Sequence, residues 1–363
     1  MNVLEESEVK LPEDERSESE VNLRSLESKL PWQAKHTPVS LDEFIDNDDV
    51  TMLLKSIAIN KKLNNLLIMG PVGSGKTTLV NCLVNDYLGS YVDASCIKIY
   101  GSINRSKDTV SEIQKSDVNI TNFIKKKIDM PKDLCKIIVI YDFDLMTLEA
   151  QTALRRIIEI YSKNVRFILT CNNIEDVAEA IQSRCVIINL SKPSNIKKIL
   201  ENIAEKEGFT VCDEVTDIIV VMCQGDIKTA INYLQAICNA NEVTVNAFYK
   251  IFNIPSITII QDFIVACLKK DSNLAFSIIT GLLEDGYNII DILEILYKVI
   301  CRNHINAKYI KGIKGNRLDQ SIQIQYLKAI SQCYYLSETC FSNNHIYSLV
   351  ANFIRDSQFN LTP

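Results

Sequence analysis

Residues Gly70, Pro71, Val72, Gly73, Ser74, Gly75, Lys76 and Thr77 carry every fixed position of the pattern G-x-x-x-x-G-K-T. An apolar run, Leu66-Leu67-Ile68-Met69, precedes them, and Thr78-Leu79-Val80-Asn81-Cys82-Leu83-Val84 follows with the look of a helix start. Such a loop works only between a buried strand and a helix. Its glycines let backbone N–H groups close around a polyphosphate, and the helix N-terminus adds its positive end. In this setting Lys76 is expected to reach the β- and γ-phosphates, and the Thr77 hydroxyl to ligate Mg²⁺. Gly70 to Thr78 is therefore the expected nucleotide-binding segment.

The rest of the chain must supply a fold for that loop. Its 363 residues suffice for two or three domains. No apolar run reaches the roughly 18 residues of a membrane helix. Glu5, Glu6 and Glu8 fall where a secretory signal would be apolar, so an intracellular, soluble protein is expected. The twelve cysteines are scattered without a C-x-x-C, and the three histidines make no cluster with them, which argues for reduced core cysteines and no zinc site. Of the net charge of −6, residues 1–29 contribute nine acids against four bases. Residues 1–28 are expected to be a disordered acidic tail.

From about Leu30 to Leu190, apolar runs alternate with amphipathic stretches. Ile137 to Ile140, Arg166 to Leu169 and Val186 to Ile188 read as buried strands, and Leu148 to Tyr161 has helical spacing. Strands alternating with helices after a phosphate loop predict an α/β fold with an open, mainly parallel sheet, the nucleotide lying at its carboxyl edge. Beyond Lys192-Pro193 the pattern is helical only. Asn195 to Gly208, Asp213 to Cys223 and Asp226 to Cys238 form one group, and a second begins near Ile257, with breaks at Asp285-Gly286 and Lys311 to Gly315.

Further segments share one order and spacing. Pro31 to Pro38 and Leu41-Asp42-Glu43 lie before the loop. Lys136 to Thr147 leads into Ala150 to Tyr161, Arg166-Phe167 leads to Cys171-Asn172, and Ile181 to Cys185 follows. Gln224 to Lys228 then precedes Ala230 to Gln235. Together they resemble the small subunits of replication factor C, the sliding-clamp loader of the AAA+ class. Leu88-Gly89, Met130-Pro131-Lys132 and Glu159 to Lys163 lean toward its second small subunit.

The resemblance implies an AAA+ P-loop module over 29–191, a helical lid over 192–254 and an all-α collar over 255–363. It implies ATP and Mg²⁺ as ligands, a hetero-pentamer with other replication factor C subunits, a sliding clamp, primer-template DNA and a nuclear location. It makes Arg184 an arginine finger reaching a neighbour's γ-phosphate, Asn172 the residue that polarises the attacking water, and Lys228 the lid contact to phosphate. In that last place the family usually has arginine, and lysine keeps the charge without the planar fork. Arg105 matches a DNA-contacting arginine, with Lys107 and Lys115 as further candidates for the lining. Lys125-Lys126-Lys127 reads instead as a solvated helix face.

One departure stands out. The family carries an aspartate that orients the Mg²⁺ shell and then a glutamate that activates water. A gapless alignment puts Tyr141 and Asp142 there. A one-residue shift would make Asp142 the Mg²⁺ partner and Phe143 the would-be base, and it needs a local bulge. Neither register gives an Asp-Glu pair, so slow or absent hydrolysis is expected, with Asp142 the best remaining catalytic candidate. The alternatives are a non-hydrolysing structural subunit and a stand-alone AAA+ remodelling ATPase.

Overall fold

A computed structural model describes residues 30–102, 120–131, 133–240, 243–301, 320–339 and 344–356. The acidic tail, Arg105, Lys107, Lys115 and the 311–315 break lie outside these residues. The chain divides into two compact units, Met1–Thr210 with Cys223–Gln235, and Val211–Met222 with Ala236–Pro363.

In the first unit, strands β1 (Leu66–Met69), β2 (Cys96–Tyr100), β3 (Lys136–Tyr141), β4 (Val165–Cys171) and β5 (Val186–Asn189) form one sheet. Their order is β2-β3-β4-β1-β5, and every pairing is parallel. A parallel sheet is covered on both faces, which is why its inner strands read as unbroken apolar runs. All six residues of β3 are buried. Successive side chains serve opposite layers. Leu66, Ile68, Ile137, Val139, Tyr141 and Ile168 pack with helices α1 (Asp48–Asn60) and α2 (Lys76–Leu88). Leu67, Ile138, Ile140, Phe167 and Leu169 pack with helix α3 (Leu148–Tyr161). That helix presents Ala150, Leu154 and Ile158 at four-residue spacing, and the Thr147 side chain caps it by accepting from the Ala150 N–H.

Helices α4 (Ile196–Glu207), α5 (Asp213–Cys223) and α6 (Ile227–Asn239) follow the sheet. Then come α7 (Val245–Phe252), α8 (Ile257–Lys269), α9 (Ser272–Glu284), α10 (Ile289–Cys301), α11 (Gln320–Thr339) and α12 (Asn344–Asp356). Within the second unit the core is aromatic at its centre. The rings of Tyr326 and Phe353 stack at 3.9 Å, and Phe263 lies 6.0 Å from Phe353. Ser256 and Asp271 cap α8 and α9. No single described helix is long and apolar enough to cross a membrane.

The sheet's carboxyl edge depends on one close backbone approach. The Gly101 N–H donates to the Tyr141 carbonyl at 2.7 Å, and a methyl group on Gly101 would collide with the Asp142 carbonyl oxygen. Backbone cannot yield as a flexible side chain can. Gly101→Ala is therefore expected to destabilise the chain by about 1–3 kcal/mol, read as a fall in the thermal or urea midpoint. An unchanged midpoint would contradict this packing.

Candidate nucleotide site

The phosphate loop leaves β1 at Met69 and enters α2 at Lys76, with Gly73 and Gly75 at φ values of 78° and 88°. These left-handed turns are where glycine is needed. The Phe44 ring lies against Gly75, and the Gly70 N–H donates to the Cys171 carbonyl, fastening the loop to the end of β4. The Lys76 ammonium donates to the Gly70 and Pro71 carbonyls at 2.8 Å each and to Asn172 Oδ1 at 2.9 Å. Burial pulls its pKa down, while Asp142 and Asp144 push the other way. Thr77 is exposed at the first turn of α2, and Thr78 is half-buried. The Ser74 hydroxyl is buried without a partner.

The strand opposite carries the departure. β3 stays in regular register through the Tyr100–Tyr141 pair, with no bulge. Tyr141 therefore faces α2, where its hydroxyl donates to Asn81 Oδ1 at 2.8 Å. Asn81 lies one helical turn beyond Thr77, on the same side of α2. Burial pushes the Tyr141 hydroxyl pKa up, so it stays neutral. Its ring packs on Tyr100 at 5.1 Å. Thus a neutral phenol stands at the end of β3, facing α2, where the resemblance leads one to expect a carboxylate. Asp142 follows in the left-handed region (φ 51°, ψ 50°), and its N–H donates to Thr170 Oγ1.

Sequence reasoning missed Asp144. Its Oδ2 accepts from the Asn172 N–H at 2.9 Å and the Asn173 N–H at 3.3 Å, and its Oδ1 is buried without a partner. A cavity of about 600 Å³ opens beside it, lined by Gly70, Pro71, Val72, Asn172, Asp176 and Asn189 among others. Sequence reasoning also missed Asp226. Its carboxylate caps α6, taking the Lys228 N–H at 3.0 Å and the Thr229 hydroxyl at 2.8 Å. The same carboxylate packs on Gly73, where any side chain would strike it. This brings the start of α6 to the phosphate loop, and the exposed Lys228 adds to the positive field that lowers the Lys76 pKa. A strap of residues 31–47 holds the neighbouring elements. Gln33 Nε2 donates to the Lys228 carbonyl, and Lys35 and His36 share Glu207. The Asp46 carboxylate accepts from Ser194 and Asn195.

Arg184 lies elsewhere. It precedes β5, whose far end meets the loop at Leu190, so about 13 Å of strand separates it from its own phosphate loop. Its guanidinium donates to the Ala180 carbonyl and Ser183 Oγ and pairs with Glu159 at 2.6 Å, an acid that Arg155 also holds. Lys125, Lys126 and Lys127 are all exposed.

A parallel sheet in this order, with a glycine loop fastened to β4 and an asparagine on its lysine, defines a P-loop ATPase module. Residues 66–215 match the model of the ATPase family associated with various cellular activities (AAA), and the module binds ATP. The chain is 31% identical to a probable replication factor C subunit 2 of Dictyostelium discoideum, over 85% of this chain and 87% of that one. It is 32% identical to replication factor C subunit 4 of Saccharomyces cerevisiae (76% and 84%) and 29% identical to a replication factor C small subunit of Staphylothermus marinus (76% and 83%). The chain belongs to the replication factor C small-subunit family. Relatives numbered 2 and 4 are about equally similar, so the leaning toward the second small subunit is not distinguished.

The Tyr141–Asn81 bond gives a direct test. Tyr141→Phe deletes the hydroxyl and leaves Asn81 Oδ1 without its partner. The expected loss is about 1 kcal/mol in unfolding free energy, with ATP affinity unchanged. A variant as stable as the parent would contradict the bond.

Proposed function

We propose that this chain is an ATP-holding small subunit of a replication factor C-type clamp loader. It assembles with other subunits of that family into a hetero-pentamer in the nucleus, and helps to open a sliding clamp and deliver it to primer-template DNA. Residues 29–191 act as the AAA+ module, 192–254 as the lid and 255–363 as the collar. The observation that carries this reading is the separation of two half-sites. The loop at Gly70 to Thr78 gathers at one end of the sheet, and Arg184 stands at the other, out of reach of its own loop. A residue so placed serves a neighbour's nucleotide, so the subunit is a link in a ring and not a complete enzyme. Arg105, Lys107 and Lys115 contribute phosphate contacts to DNA, which are sequence-independent and salt-sensitive.

At its own loop, the amides and Lys76 bind the phosphates, and Lys228 approaches from the lid. The donors present suit Mg²⁺, which keeps most of its water and takes few protein ligands. They are the exposed Thr77 hydroxyl as a ligand and the Asp142 carboxylate as a nearby charge only, since β3 ends without the bulge that would turn Asp142 to the cation. Bound there, the cation would shield phosphate charge. Asn172 orients the water, but among the described residues lining the cavity beside it there is no glutamate to take a proton, and Tyr141 withholds the other acid. ATP is therefore held far longer than it is cleaved. This favours the reading in which the subunit serves the complex through binding and through Arg184.

In the reconstituted complex, Arg184→Ala is expected to slow hydrolysis at the adjoining site by about 10³-fold or more. Lys76→Ala should remove one bound ATP and leave turnover nearly unchanged. Loss of a full share of turnover with Lys76→Ala would contradict a non-hydrolysing site. An unaffected Arg184→Ala complex would contradict the finger. A ring formed by this chain alone would favour a stand-alone ATPase.

A further inference from the structure

Beta strand β4 ends at Cys171, and the next two amides, of Asn172 and Asn173, would have no partner if the chain simply turned away. One carboxylate oxygen of Asp144 accepts from both. Asp144 stands in the single turn Phe143–Leu145 after β3, whose buried Phe143 anchors it in the core. The turn after β4 is thus fastened to the turn after β3 by a group that belongs to neither strand. The consequence falls on the Asn172 side chain. With its own backbone N–H clamped, Asn172 directs Oδ1 at the Lys76 ammonium, which leaves its amide nitrogen for a ligand. The other Asp144 oxygen is buried at the wall of the cavity beside the loop, with no hydrogen-bond partner.

We propose that Asp144 is the positioning residue that sets Asn172 against the terminal phosphate, and so governs how strongly the site prefers ATP to ADP. It acts through Asn172 and touches no phosphate itself. The inference rests on the reading of Asn172 as the residue that orients the water at the terminal phosphate, and adds to it a contact of the Asn172 amide nitrogen with that phosphate. It assigns the work to the reach of the Asp144 side chain, because the paired amides are met by an oxygen at one fixed height above the turn. A group of the same reach keeps the clamp even without charge. A group one methylene longer keeps the charge but lifts the turn.

Two conservative variants of the full chain separate these roles, with ATP and ADP affinities measured by titration calorimetry and folding checked by thermal melting. Asp144→Asn retains a carbonyl oxygen at the same distance, so its ratio of ADP to ATP dissociation constants should stay within about twofold of the parent, any weakening being shared by both nucleotides. Asp144→Glu should lower that ratio by about tenfold, the worth of one hydrogen bond to a charged group, with ADP affinity unchanged. Asn172→Ala should lower it at least as far. If Asn172→Ala leaves the ratio intact, the reading of Asn172 fails. If Asn172→Ala lowers it and Asp144→Glu does not, or if Asp144→Asn lowers it as much as Asp144→Glu, the positioning role of Asp144 fails.

Discussion

The ammonium of Lys76 is the point through which the nucleotide site is organised. It binds two carbonyls of its own loop and the side chain of Asn172, so one cation joins β1, α2 and the end of β4. Burying a charge is costly unless it is paired and hydrogen-bonded. Here the cost is offset by three acceptors and by the fields of Asp142 and Asp144. Polyphosphate therefore meets a lysine already held in place. The clamp between Asp144 and the amides after β4 lies one step further out and fixes the third of those acceptors.

The same construction shows what the site lacks. The end of β3 keeps perfect register, and its last side chain lies on the α2 layer, where the family resemblance implies a carboxylate. A tyrosine fits there because its hydroxyl can run one turn along α2 to Asn81 while its ring packs on Tyr100. The replacement is well accommodated, with the buried hydroxyl satisfied. It preserves the fold and leaves no carboxylate at the end of β3. On the function proposed above, binding and hydrolysis are separated within one site, and the work of the subunit lies in what bound ATP does to the geometry between neighbours.

Much of this was legible in the chain. β1, β3 and β4 declare themselves as apolar runs because both faces of a parallel sheet are covered, and α3 declares itself by four-residue spacing; β5 reads as a buried run too, but it is an edge strand and its Val186 and Ile187 are exposed. The edge strand β2 is less plain, since Lys98 is exposed and the burial is broken. The loop is legible because its constraint is local: glycine at two left-handed positions, lysine and threonine at the helix start. Asp144 is not. Its partners lie 28 and 29 residues away, and nothing in its neighbourhood distinguishes it from Asp142 until β3 and β4 are set side by side. Asp226 escapes for the same reason, because its contact with Gly73 exists only once α6 reaches the loop. Motifs disclose groups fixed by local backbone, and they miss groups fixed by the meeting of two strand ends.

The central claim is that this site holds ATP without cleaving it. The most direct measurement is single-turnover hydrolysis in a complex where only this subunit keeps its phosphate-loop lysine. The account predicts about one ATP bound per complex and recovered intact after times in which an unaltered complex turns over many times. Conversion of that ATP to ADP at the rate of an ordinary clamp-loader site would contradict it.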